Sequence, residues 1–211
     1  MILYGSPLSP FVRKTLAYGA EKGLTFEHKP VGFTSKDPGF LEASPFSKIP
    51  GFSDGDFSIS DSTAIITYLE AKHPEPPLIP AEPRSRARVI WYEEFADTIL
   101  VGKLAPIFFQ RVVTRLIGQE PNHDLADKLE REEFPPLMDY MERIAPPSGF
   151  LVDDRLTLAD IAVASVFVNM DHAKVDRLAG RYPRAVAYID SILARPSFAP
   201  TIAAEKAMLS R

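Results

Sequence analysis

Apolar and polar residues alternate over short distances at the start of the chain, which predicts strands around a first helix. Ile2–Tyr4 is a short apolar run of strand type, and a second strand is predicted over 25–28, where apolar and polar residues alternate. Between these two, Ser9 and Pro10 form a strong helix start, because serine caps free amides and proline fits the first helical position. The chain therefore opens as strand, helix and strand.

The residues that follow predict a loop, a hairpin and a helix. Residues 32–47 are rich in Gly, Pro and Ser and predict a long loop, with one helical turn at 40–43. An Asp-Gly pair at the centre of 53–56 is a hairpin signal, and 57–59 forms the returning strand. A helix opens at 60–62, where polar capping residues precede an apolar helical pattern. The first part is thus predicted as β-α-β-loop-β-β-α.

Helical patterns follow the proline-rich stretch 74–83, which is predicted to be a linker. Apolar residues recur at helical spacing over 84–117, where Pro106 predicts a kink. A second amphipathic segment covers 123–144, and its Pro-Pro pair at 135–136 predicts an interruption. The second part of the chain is therefore predicted to be built from helices.

Two further helices are predicted towards the end of the chain. Thr157 and Asp160 form a capping box ahead of the apolar run 161–168. Another helix covers 183–193 and is predicted to end at the Arg-Pro-Ser-Phe sequence 195–198. No strand pattern follows residue 80, so the chain combines an α/β first part with an all-helical second part.

The composition is that of an ordinary globular protein and excludes several functional classes. Hydrophobic residues make up 45% and charged residues 25%, and the net charge of −4 argues against a general nucleic-acid binder. No apolar run reaches the roughly 18 residues that a membrane span needs, and no signal-peptide pattern precedes Ile2. We therefore expect cytoplasmic residence, with neither nucleic acid nor a membrane as partner.

The absence of cysteine excludes disulfides, thiolate metal sites and a cysteine nucleophile. The four histidines show no paired helical spacing, so we expect no metal site. The helix start at Ser9 does carry possible chemistry, since its free amides and partial positive charge stabilise an anion. Such a position lowers the pKa of a thiol and could hold a thiolate. The simpler alternative is that Ser9 only caps the helix.

The first part contains a Ser-Pro-Phe helix start at 9–11, an Ile-Pro pair at 49–50 before a hairpin, and an Asp-Ser helix start at 61–62. In this order, the three motifs resemble those of cytosolic glutathione S-transferases, and of their bacterial, serine-type members in particular. The aspartate of the third motif lies twelve residues after the isoleucine of the second, which matches the family's interval. The order and spacing together make the resemblance specific.

The helical part also resembles this family, through the capping box at 157–160 and the Arg-Pro-Ser-Phe sequence at 195–198. The resemblance implies a thioredoxin-like, glutathione-binding α/β domain over 1–80. It further implies an all-helical domain over 84–211 that lines the site for a small hydrophobic electrophile. Glutathione as co-substrate without a metal, a homodimer and a role in detoxification are implied as well.

Within this resemblance, Ser9 corresponds to the hydroxyl that faces the glutathione sulfur, and Phe11 belongs to the same motif of the glutathione site. Ser6 remains an alternative, because theta- and delta-type members place their serine at the matching position. Tyr4 is a third choice, because the tyrosine classes use a residue near the end of this strand. The sequence leaves the choice among these hydroxyls open.

The other two motifs correspond to residues that bind the glutathione backbone and its charged ends. A cis bond before Pro50 would leave the backbone of Ile49 free to pair with the cysteinyl unit. Asp61 and Ser62 would hold the γ-glutamyl ammonium and carboxylate groups. Lys48 would meet the glycyl carboxylate, as the matching lysine does in plant-type members.

We therefore expect a glutathione transferase that conjugates the glutathione thiolate to a hydrophobic electrophile. A glutathione-dependent peroxidase or isomerase on the same fold is an alternative, as is a non-catalytic glutathione-binding or regulatory protein. The absence of cysteine excludes glutathionyl-group reductases of the omega and beta types. The sequence over 6–9 also lacks the Ser-Ser-Cys start of zeta-type isomerases.

Overall fold

The computed structural model describes residues 1–32 and 34–210 and divides the chain into two compact units. The first unit contains residues 1–79 together with the segment that begins at Arg195, and the second contains Pro80–Ala194. Phe33, which falls in the predicted loop 32–47, lies outside the described residues.

A sheet of four strands forms the centre of the first unit. The strands are Ile2–Tyr4 (β1), Glu27–Lys29 (β2), Gly51–Asp54 (β3) and Phe57–Ser60 (β4), in the order β2-β1-β3-β4. β1 is parallel to β2 and antiparallel to β3, and β3 and β4 form the predicted hairpin. The second strand begins two residues later than predicted, and Phe26 just before it packs edge-on against Phe52.

Ten α-helices occur among the described residues. They are Pro10–Glu21 (α1), Pro38–Ala43 (α2), Ser62–Lys72 (α3), Pro83–Glu94 (α4), Val101–Phe108 (α5), Thr114–Leu116 (α6), His123–Ile144 (α7), Leu158–His172 (α8), Pro183–Leu193 (α9) and Ala199–Leu209 (α10). None of them is both long enough and apolar enough to cross a membrane.

The helical segment predicted over 84–117 is continuous, but it is not uniformly α-helical. Phe95–Leu100 and Phe109–Val113 are π-helical, with α5 between them. Pro106 lies inside α5, which continues through it. Proline lacks the amide that an α-helix would use at this point, so α5 continues without that hydrogen bond.

The predicted interruption at 135–136 is wrong, because α7 runs through both prolines. Each proline removes one helical hydrogen bond and crowds the carbonyl four residues earlier, so the pair destabilises the helix locally. The apolar face of α7 remains buried on both sides of the pair, and this packing offsets the lost bonds. The buried residues are Ala126, Phe134, Leu137, Met138 and Met141.

The end of the chain differs from the sequence-based expectation. α9 ends before Arg195, as predicted, but a further helix, α10, follows. The segment from Arg195 onwards clusters with residues 1–79 and makes polar contacts with α1 that local sequence patterns do not contain. The predicted bounds of the helical domain, 84–211, stay a prediction.

Two ion pairs connect this last segment to α1. Arg13 Nε donates to Glu205 Oε1 at 2.7 Å, and both side chains are fully buried. Arg195 and Ser197 donate to the carboxylate of Glu21, at 2.7 and 2.6 Å to its Oε1. Burial alone would raise the pKa of Glu21, but these hydrogen bonds hold that pKa below its usual value.

The second unit is organised around α8, whose residues 158–170 are all buried. The predicted capping box is confirmed, since Thr157 and Asp160 each bond to the other's backbone at the start of this helix. Asp160 also accepts hydrogen bonds from the Leu151 amide and the Tyr188 hydroxyl, at 2.8 and 2.9 Å. These bonds connect the loop before α8 with α9.

Replacing Glu205 with alanine should lower the free energy of unfolding by about 3–5 kcal/mol, because it leaves the buried charge of Arg13 without this carboxylate. Urea denaturation followed by circular dichroism measures the change. Glu27→Ala is the control, since its ion pair with Lys29 is exposed and should contribute less than about 1 kcal/mol. A Glu205→Ala protein no less stable than this control would contradict the prediction.

Candidate active site

The register of the sheet brings three separate segments to one edge. Gly51, the first residue of β3, pairs with Tyr4 on one side and with Ser60 on the other. β1 and β4 therefore end where β3 begins. The turn after Tyr4, the Ile-Pro pair before Gly51 and the helix start after Ser60 consequently lie next to one another.

The turn after β1 carries Ser9 into the N-cap of α1. Its amide donates to the carbonyl of Ser6 at 3.1 Å, which closes a tight turn. Its Oγ lies 3.4 Å from the amide of Val12 and accepts a hydrogen bond from it. A hydroxyl has one proton to donate besides its acceptor positions. Ser9 can therefore cap the helix and still donate to a ligand.

The first turn of α1 also leaves an amide for a ligand. The Ser9 carbonyl accepts from the Arg13 amide, and Pro10 has no amide proton. In the part of the chain that the structure describes, the Phe11 amide makes no hydrogen bond. The Phe11 side chain is half-buried, and the Lys14 ammonium lies 6.0 Å from the centroid of its ring. The helix end thus presents a hydroxyl, an amide and a partial positive charge together.

The bond between Ile49 and Pro50 is cis, as predicted. Neither the amide nor the carbonyl of Ile49 bonds to any residue among those described. The residue is half-buried, whereas Lys48 before it is exposed. Both backbone groups of Ile49 are therefore available to pair with an extended peptide ligand.

Asp61 is the N-cap of α3 and lies beside the cis proline. Its amide donates to the Pro50 carbonyl at 3.3 Å, and its φ is +81°, a conformation that a non-glycine residue rarely adopts. Its Oδ1 accepts from the amides of Thr63 and Ala64, at 2.9 and 3.1 Å. The amide of Ser62 makes no such bond among the described residues and is left for an anionic group.

The other two candidate hydroxyls lie in different surroundings. Ser6 Oγ accepts from the Leu8 amide at 3.4 Å and is half-buried, so it too has a proton to donate. Tyr4 is only 3% exposed and packs in a hydrophobic cluster with Phe40 and Ala43. The Tyr4 ring thus packs in this cluster, whereas the two serines lie in the turn that leads to α1.

Two residues of the site, Gly5 and His28, were missed by sequence reasoning. Gly5 has a φ of +149°, and a Cβ on it would lie 2.5 Å from Val12 Cγ2 and 3.2 Å from Ile49 Cβ. Only glycine fits between the helix and the Ile-Pro segment. His28 contacts the Gly5 carbonyl. A glycine directly after a strand was a visible signal for Gly5, whereas His28 could be found only from the strand register.

The candidate site holds no cluster of metal-ligating side chains. No group of three or more His, Cys, Asp or Glu residues suited to a metal occurs among the residues that the structure describes. The groups that converge here are hydroxyls, backbone amides and carbonyls, and one carboxylate. They suit a small zwitterionic peptide that carries an anionic centre.

Comparison with known families identifies the family to which this chain belongs. Residues 3–77 match the family model of the glutathione S-transferase N-terminal domain, and residues 109–203 match that of the C-terminal domain. The chain belongs to the glutathione S-transferase family.

Individual relatives are similar to this transferase in sequence and structure over nearly its full length. It is 32% identical to glutathione S-transferase 3 of Zea mays, over 96% of this chain and 93% of the relative. A glutathione S-transferase structure from Rhodospirillum rubrum has 27% identity and a TM-score of 0.86, covering 94% and 90% of the two chains. Glutathione S-transferase I from maize, solved with an atrazine glutathione conjugate, has 26% identity and a TM-score of 0.82, covering 95% of each chain.

These findings confirm the predicted family, fold class and enzyme class, whereas the narrower assignment to bacterial, serine-type members stays a prediction. The first unit is thioredoxin-like, the second is helical, and the protein is a transferase that uses glutathione.

Proposed function

We propose that this transferase holds the glutathione sulfur as a thiolate at the N-terminus of α1, where the Ser9 hydroxyl donates a hydrogen bond to it. This proposal is supported by two donors at one helix end, the Ser9 hydroxyl and the Phe11 amide. Neither group donates a hydrogen bond to another acceptor among the described residues. The thiolate attacks an electrophilic carbon of a small hydrophobic substrate. A carbon–sulfur bond forms, and a leaving group such as halide departs with its electron pair.

The contribution of thiol ionisation to this reaction can be quantified. A free thiol with a pKa near 8.5 is only about 3% ionised at pH 7. Lowering that pKa by ~2 units makes it about three-quarters thiolate, which corresponds to ~2.7 kcal/mol of interaction. The nucleophilicity of a thiolate falls with its pKa, so each thiolate becomes roughly eightfold less reactive and this offsets part of the gain. Orientation of the sulfur beside the electrophile must therefore supply much of the rate.

The rest of the glutathione molecule has complementary groups along the same edge of the sheet. The free backbone groups of Ile49 pair with the cysteinyl unit as an added strand would. The Asp61 carboxylate faces the γ-glutamyl ammonium, and the Ser62 amide and hydroxyl bind its carboxylate. Lys48, exposed next to Ile49, meets the glycyl carboxylate.

The proposed biological unit is a symmetric homodimer in which the first part of one chain packs on the helical part of the other. Phe46 in the first unit is 87% exposed, the largest exposed fraction among the big apolar side chains described. The second unit carries an open groove of about 610 Å³ that could receive such a ring. Its lining residues are Ala81, Pro83, Arg86, Ala87, Ile90 and Trp91.

The physiological setting that we propose is the cytoplasm, with detoxification of electrophiles as the role. The atrazine glutathione conjugate bound to the maize relative supports the proposed role in detoxification. Cell fractionation, together with a screen of electrophiles at saturating glutathione, tests both.

Replacing Ser9 with alanine should lower kcat at least about tenfold for a chromogenic aryl halide and raise the pKa of the bound thiol, because the donor to the thiolate is lost. The substitution also removes a helix cap worth about 1 kcal/mol, so stability is measured in parallel. Ser9→Thr keeps both the hydroxyl and the cap and should retain most activity. Ser6→Ala is the matched control at the alternative hydroxyl. Loss of activity in Ser6→Ala but not in Ser9→Ala would assign the role to Ser6.

Two substitutions at Asp61 should separate its role in capping α3 from its role in binding. Asp61→Asn keeps a capping oxygen of equal quality, so stability should stay within about 0.5 kcal/mol. Without the negative charge, the glutathione Kd should rise about tenfold, or ~1.4 kcal/mol. Asp61→Ala should weaken binding similarly and also lose about 1 kcal/mol of stability. Calorimetric titration and urea unfolding measure the two effects, and unchanged binding by Asp61→Asn would remove the ammonium contact from the proposal.

Phe46→Ser should weaken dimerisation roughly a hundredfold or more, since a symmetric dimer buries this ring twice and each burial contributes about 1.5–3 kcal/mol. Sedimentation velocity over a range of protein concentrations measures the equilibrium. Ile117→Ser is the control, because Ile117 is also an exposed apolar residue but does not line the groove. A wild-type monomer at all concentrations, or equal effects of the two substitutions, would contradict the proposed dimer.

A further inference from the structure

His28 on β2 contacts the backbone of the turn that carries Ser9. Its ring Nε2 lies 2.9 Å from the carbonyl oxygen of Gly5. A carbonyl oxygen only accepts hydrogen bonds, so Nε2 carries the proton and donates it. The side chain is half-buried at the edge of the sheet where the glutathione site lies.

Gly5 is held by β2 from two directions. Its amide donates to the Lys29 carbonyl at 3.0 Å, which continues the pairing of β1 with β2 and does not depend on any side chain. Its carbonyl is held by His28. That carbonyl belongs to the peptide between Gly5 and Ser6, which is planar. The side chain at position 28 therefore fixes the plane of this peptide.

The fixed peptide leads directly to the hydroxyl of Ser9. The Ser6 carbonyl accepts from the Ser9 amide at 3.1 Å, so the turn transmits the orientation of one peptide to the next. Close packing limits translation of Gly5 towards α1, since a Cβ there would lie 2.5 Å from Val12 Cγ2. The freedom released by loss of the His28 hydrogen bond is therefore rotation of the Gly5–Ser6 peptide plane, which would change the direction of the Ser9 hydroxyl.

The remainder of the glutathione site is held independently of His28. The segment around Ile49 is fixed by the pairing of Gly51 with two strands and by the bond from the Asp61 amide to the Pro50 carbonyl. Disturbing the turn after β1 should therefore affect the chemistry at the sulfur more than the binding of glutathione.

We propose that His28 is a positioning residue of this transferase: its Nε2–H···O=C bond to Gly5 sets the direction in which the Ser9 hydroxyl donates to the glutathione sulfur. The inference rests on the proposed function of Ser9. His28 acts through the backbone of the turn and takes no proton in the reaction.

The test compares His28→Leu with His28→Gln. Leucine removes the donor and keeps apolar volume, whereas glutamine places an N–H at a similar reach. In His28→Leu, kcat for an aryl halide should fall about tenfold, the upper end for one neutral hydrogen bond, and the bound thiol pKa should rise. The glutathione Kd should stay within about twofold, while His28→Gln should recover kcat to within about threefold of the wild type. Steady-state kinetics, calorimetry and the ultraviolet absorbance of the bound thiolate provide the readouts.

Two controls keep the test decisive. His123→Leu changes an exposed histidine at the start of α7 and should leave kcat, Kd and thiol pKa unchanged. If His28→Leu does not fold, His28→Asn replaces it, because its shorter amide cannot reach the Gly5 carbonyl. The inference would be overturned if kcat fell as much in His28→Gln as in the variant without a donor. It would also be overturned if glutathione binding weakened by the same factor as kcat.

Combining His28→Leu with Ser9→Ala separates this inference from the proposed function. If His28 acts through Ser9, the double variant should have the same bound-thiol pKa as Ser9→Ala alone. An effect of Ser9→Ala with no effect of His28→Leu would overturn the inference only. A thiol pKa that is unchanged in Ser9→Ala would instead overturn the proposed function.

Discussion

The pairing of Gly51 with both Tyr4 and Ser60 is the constraint on which the first unit depends. A shift of one residue in either ladder would turn the side chains of a strand to the opposite face and separate the three segments of the site. Helix α2 packs against the same point, since a Cβ on Gly51 would lie 3.3 Å from both Ala43 and Phe40. The sheet, α2 and the candidate site therefore share one structural requirement.

Several groups of the site serve stability and chemistry together. Ser9 and Asp61 both cap helices, yet each retains a hydrogen-bonding or charged group that can face a ligand. Capping by these side chains also decides which amides remain free, namely those of Phe11 and Ser62. The candidate site thus consists mainly of two helix starts at one edge of the sheet.

Features that depend on contacts between near neighbours in the chain could be predicted from the sequence. The Ser9 cap, the hairpin turn and the box at 157–160 each involve residues within about four positions of one another. The path of α7 through its two prolines could not be predicted, because buried packing outweighs a local preference. The contact of His28 with Gly5 spans 23 positions and follows only from the parallel register of β1 and β2.

The buried pair of Arg13 and Glu205 has a consequence for biosynthesis, because 192 positions separate the two residues. At ribosomal speeds of about 5–20 residues per second, the arginine emerges roughly 10–40 s before its carboxylate is made. The first unit therefore cannot complete the packing of α10 on α1 until Glu205 has been synthesised. The partner of α1 within this unit is thus translated after the whole of the second unit.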